Sequence, residues 1–145
     1  MGRLDESIDD LKKAVALKND KSEGHNNLGL SYFEKEEYDE ALNEFTKSIA
    51  LESNPVNINN RGLAFYHTGQ YDLAKKDFDE AIKKQPDNSV VYFNRGNVFL
   101  NQGEYDLAHQ DYDTAISMEP KNSKYWHAKG LAYEGRAQID PKHVD

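Results

Sequence analysis

For chemistry, this chain of 145 residues offers five histidines, 26 aspartates and glutamates, and no cysteine. His25, His67, His109, His127 and His143 show none of the short spacings that place two metal ligands on one helix face. Without cysteine there is neither a thiolate site nor a disulfide framework. No glycine-rich phosphate loop, nucleophile elbow or calcium-loop spacing occurs. The reading is therefore a non-enzyme with no catalytic residues, no cofactor and no metal. His25 aligns with Ile58, Tyr92 and Trp126 in the repeat described below, so a packing role is expected for it. Asp72, Asp77, Asp79, Asp106, Asp111 and Asp113 recur in step and are expected on a solvated outer face.

A net charge of −8 argues against general nucleic-acid binding, which needs lysine and arginine to replace counterions. No apolar run approaches a membrane span, and Met-Gly-Arg-Leu-Asp-Glu lacks the apolar region of a signal peptide. With no cysteine, a soluble, cytoplasmic protein is expected.

The elements that must position any site are set by repetition. Tyr92, Gly96, Phe99, Gly103, Tyr105, Ala108, Tyr112, Ala115 and Pro120 are matched one unit earlier by Ile58, Gly62, Phe65, Gly69, Tyr71, Ala74, Phe78, Ala81 and Pro86. A further unit back stand His25, Gly29, Tyr32, Tyr38, Ala41, Phe45 and Ser48, with Glu36 in place of a turn glycine. The period is 33 residues from Gly29 to Gly62 and 34 from Gly62 to Gly96, which marks a stacked array of paired segments. The chain divides into a half repeat at 1–21 (second helix only), repeats at 22–54, 55–88 and 89–122, a half repeat at 123–136 (first helix only) and a tail at 137–145. Seven core helices are expected. Ser22 is a candidate N-cap. Gly29, Gly62 and Gly96 each precede an alanine (Ala41, Ala74, Ala108) by twelve residues, so two small faces are expected to meet between the helices of a pair. Recurrence also assigns Tyr38, Tyr71, Tyr105 and Phe45, Phe78, Tyr112 to packing rather than to stacking platforms.

Leu28-Gly29-x-x-Tyr32 with Ala41-x-x-x-Phe45 and the late prolines resembles the tetratricopeptide repeat family. The resemblance implies an all-α fold, a right-handed superhelical array of antiparallel helix pairs, and a concave groove that binds an extended peptide of a partner protein. Asn27, Asn60 and Asn94 share one phase, with Ala128 in the fourth unit. An asparagine amide donates and accepts, so a row of them suits peptide backbone; the alternative is that they bridge neighbouring helices or hold water. The family geometry would set Asn26, Asn59, Leu30, Leu63, Phe93, Asn97 and His127 along the same groove, near Glu23, Val56, Val90 and Lys124. The chaperone-tail carboxylate clamp is represented only in fragments, at Asn26, Leu30, Asn60, Val90 and Asn94, so a co-chaperone role is the alternative. A third reading is head-to-tail homo-oligomerisation at high concentration, with Leu4, Ile8 and Leu11 meeting Trp126 and Tyr133 of the next copy. On that reading Trp126 is expected to be partly exposed, and its counterparts Tyr92 and Ile58 buried.

Overall fold

A computed structural model describes residues 2–17 and 21–139, the side chains of residues 14–17 excepted. Those residues form eight helices and no strand: α1 Gly2–Leu17, α2 Ser22–Glu34, α3 Tyr38–Leu51, α4 Pro55–His67, α5 Tyr71–Lys84, α6 Ser89–Asn101, α7 Tyr105–Met118 and α8 Ser123–Ile139. That is one more than the seven expected, which undercounted the division itself: three pairs and two single-helix half repeats make eight. Nothing breaks α8 before Pro141, and it runs to Ile139. The remainder of the tail with Pro141 and His143, like Lys18, lies outside the described residues. The helices fall into two compact units, Met1–Lys84 with α1 to α5 and Gln85–Asp145 with α6 to α8.

Local sequence explains the helix starts. Asn54 accepts from the Asn57 amide at 3.0 Å ahead of Pro55, and Asn88 accepts from the Val90 amide at 3.1 Å; side-chain acceptors of this kind satisfy orphan donors of the first turn. Ser22, expected to cap α2, does not. Lys21 holds the cap position, while the Ser22 hydroxyl sits 2.9 Å from the Ser48 carbonyl and 2.8 Å from its hydroxyl. A buried partner on α3 outbids the local cap.

In the first unit, Ile8, Leu28, Tyr32, Ala41, Phe45 and Ala64 form one apolar core. Phe99, Ala108, Tyr112, Ala128 and Ala132 do so in the second. The pairs close differently from the expected meeting of glycine and alanine. A Cβ on Gly29 would lie 2.6 Å from the Phe45 ring, one on Gly62 2.7 Å from Phe78, and one on Gly96 2.7 Å from Tyr112. The glycine thus makes room for the aromatic sixteen residues on, and the alanine gives clearance beside it. All three rings are fully buried.

The turn inside each pair needs a left-handed residue. Gly69 and Gly103 supply it at φ 78° and 77°, and Glu36 takes it at 61°. A side chain in this region costs roughly 1–2 kcal/mol. Part of this is offset in a glycine variant by the greater freedom of the unfolded chain. Glu36→Gly is therefore expected to stabilise the first unit by about 1 kcal/mol, read as a higher urea midpoint; an unchanged or lower midpoint contradicts the strain argument.

Candidate peptide-binding surface

On α2 and α4 of the first unit, Asn27 and Leu30 are exposed, Asn59, Asn60 and Leu63 are half-buried, and Val56 is 55% exposed. Asn26 is buried, and its carboxamide oxygen accepts from Asn60 Nδ2 at 3.0 Å. One expected groove residue therefore also ties α2 to α4. Beside it opens a cleft of about 410 Å³ lined by Glu23, Asn26, Asn27, Glu52, Val56 and Asn57, among others. Asn57 and Glu52 were not singled out in the sequence. The only local signal was the Asn54-Pro55 helix start, which turns the chain under the N-terminal end of α2.

In the second unit, Val90 and His127 are exposed and Phe93 is half-buried, its ring 5.0 Å from Tyr125 and 5.9 Å from Tyr112. Asn94 is only 5% exposed, so it offers far less surface than Asn27 at the same repeat position. Asn97 accepts the Tyr112 hydroxyl at 2.7 Å. Where Asn97 and Tyr112 stand, the other repeats have Leu30 with Phe45 and Leu63 with Phe78, so the asparagine provides an acceptor for an otherwise buried phenol.

Two of the six aspartates expected on the outer face are buried. Asp77 takes Arg61 through two bonds of 2.8 Å, and Asp111 takes Arg95 through bonds of 2.8 and 2.7 Å. Such forked pairs bind strongly and directionally. The bond to Asp77 raises the Arg61 guanidinium still further above its ordinary range. In the first repeat His25 is buried, as its packing role requires, and its Nδ1 lies 2.7 Å from Glu44. The remaining four, Asp72, Asp79, Asp106 and Asp113, are exposed.

Ile8, expected at an end contact, is instead buried in the first core. It and the half-buried Leu11 join the apolar cluster of the first unit, with α1 lying against α2, whereas Leu4 is half-buried and Trp126 is 51% exposed. Ile58 is buried as expected, but Tyr92 is only half-buried. Tyr92 and Trp126 lean over the preceding linkers, donating to the carbonyls of Pro86 and Pro120 at 2.9 and 2.8 Å. Tyr133 is exposed, and no described atom lies within 4 Å of a Cβ built on Gly130.

Models of the tetratricopeptide repeat match residues 59–122, 93–138 and 22–55, and a TPR repeat model matches residues 1–35. The chain belongs to the tetratricopeptide repeat family. Among solved structures, MamA superposes with a TM-score of 0.86 at 25% identity, over 96% of this chain and 82% of that one. The first TPR domain of Spaghetti (RPAP3), bound to the HSP90 peptide SRMEEVD, gives 0.78 at 24% identity, over 81% of this chain and 94% of its own. YrrB, described as a TPR protein with an unusual peptide-binding site, gives 0.75 at 20% identity, over 99% and 81%. No curated protein matches. In this TPR chain no described helix is long and apolar enough to cross a membrane.

His109 on α7 meets the edge of the Tyr133 ring on α8 at 6.1 Å, and its Nε2 is buried with no partner among the described residues. Burial pushes its pKa below the ordinary histidine value, with Asp113 and Asp106 opposing and Lys129 and Arg136 assisting. As pH falls, the unfolded chain then takes up the proton first, so stability is full at neutral pH and declines from about pH 6.5 downward. His109→Phe is expected to flatten the fall in melting temperature between about pH 7 and pH 5. A variant that follows the wild-type slope refutes this.

Proposed function

We propose that this TPR chain is a non-catalytic interaction scaffold that holds an extended peptide segment of a partner protein against its first helices, α2 and α4 of the first unit above all. The observation that carries this reading is the α2–α4 surface, where the carboxamides of Asn27, Asn59 and Asn60 stand among the apolar Leu30, Val56 and Leu63 beside an open cleft. Carboxamides serve the backbone of a peptide, and aliphatic side chains serve its residues. TPR neighbours solved with peptides support the same use: the first TPR domain of Spaghetti with an HSP90 peptide, and the second TPR domain of human RPAP3 with an HSP70 peptide. Asn94 contributes by supporting α6 from within more than by direct contact. We place the protein in a reducing, aqueous compartment such as the cytoplasm, on its lack of cysteine and its charge.

The test is a pull-down from lysate using wild type, Asn27→Ala/Val56→Lys, and Leu73→Lys as a control on the exposed side of α5. Partners retained by wild type and by the control are expected to be lost from the double variant. Retention of every partner by the double variant overturns the groove reading.

One observation favours a second reading, self-association end to end. No described residue covers the Gly130 position on α8, with Trp126 and Tyr133 exposed around it, whereas Gly29, Gly62 and Gly96 are each covered by an aromatic of the following helix. Leu4 and Leu11 on α1 of another copy are the proposed counterpart, without Ile8. Sedimentation from dilute to concentrated solution is expected to show a mass increase that Leu4→Glu and Tyr133→Glu each abolish. A constant monomer mass refutes it.

A further inference from the structure

Resting on the groove reading, we propose that the cleft of the first unit selects a cationic side chain, lysine or arginine, of the bound peptide. This is the opposite charge to the acidic SRMEEVD peptide in the solved Spaghetti complex. Among the described residues the cleft carries Glu23 and Glu52 and no lysine or arginine. Neither carboxylate joins an ion pair among the described residues, and Lys21, which borders the adjoining depression, pairs with neither.

A second observation, independent of those charges, comes from Asn57. It is 3% exposed and lines the cleft, and its Nδ2 donates both to Ser22 Oγ at 2.8 Å and to the Glu52 carbonyl at 3.3 Å. Its side-chain protons are thus committed, while no donor among the described residues bonds its oxygen. The cleft therefore presents two carboxylates and a carboxamide oxygen, all acceptors. An ammonium or guanidinium group carries only donors, and its bonds to carboxylates are charge-assisted. Pro55 and the exposed Val56 give an apolar wall for the methylene stem behind such a head group.

The probes are four capped 11-residue peptides of glycine and valine, acetylated and amidated, with a single central Lys, Arg, Gln or Glu. Each is titrated into isotope-labelled protein while the side-chain amide resonances of Asn27 and Asn57 are followed. The Lys and Arg peptides are expected to bind at least about tenfold more tightly than the Glu peptide, roughly the discrimination of one charge-assisted hydrogen bond. That difference is expected to collapse in Glu23→Gln/Glu52→Gln. Single Glu23→Gln, at an exposed position, is expected to give a partial loss and guards against misfolding of the double variant. Equal affinities accompanied by shifts at Asn27 overturn the charge selection and leave the groove reading standing. A preference that persists in the double variant also overturns it, because the overall charge of −8 then accounts for the effect. No shift at Asn27 with any peptide overturns both readings.

Discussion

Within each of the three helix pairs, an aromatic ring of the second helix fills the space that a Cβ would occupy on the first. Phe45 over Gly29, Phe78 over Gly62 and Tyr112 over Gly96 lie closer to the first helix than any side chain there would allow, and Ala41, Ala74 and Ala108 on the second helices are fully buried. Glycine inside a helix costs about 1 kcal/mol relative to alanine. Burial of a whole phenyl ring returns more than that, about 1.5–3 kcal/mol on transfer grounds.

Charge reinforces the same geometry. Arg61–Asp77 and Arg95–Asp111 span the two helices of their pairs beside the glycine, and each arginine also lies 5.8 Å over a ring of its own helix, Phe65 or Phe99. A buried ion pair adds little net stability, but loss of one partner strands a charge at a cost of about 3–5 kcal/mol. Such a pair penalises any other register of the two helices. In the first repeat the corresponding bridge is His25–Glu44, anchored one turn earlier on α2.

Much of this architecture was legible because an array repeats its backbone, so residues whose roles are set by backbone geometry return in phase. The glycines, their aromatics, the Glu36 turn position and the prolines after α5 and α7 are of that kind. Side-chain partnership was less legible. An aspartate facing water and one facing an arginine on the neighbouring helix have the same local sequence, and only the joint recurrence of Arg61 with Asp77 and Arg95 with Asp111 distinguished them. Ser22 misled for a similar reason: capping is a local rule, and its bonds to Ser48 cross 26 residues. The asparagine row kept its phase but not its exposure. Neighbours outside the repeat skeleton set how deep Asn27, Asn60 and Asn94 lie, and those neighbours vary from unit to unit.

The Tyr112–Asn97 bond bears on how such an array can recombine. Arrays of near-identical units lengthen and shuffle readily by duplication and crossover, and a break between whole repeats leaves each pair intact. A crossover inside the third repeat, between α6 and α7, would join Leu63 to Tyr112 or Asn97 to Phe78. The first hybrid takes the Asn97 acceptor away from a buried phenol, and the second takes the Tyr112 hydroxyl away from Asn97. A junction at the turn of Gly103 would thus break a buried bond that a junction between repeats leaves in place.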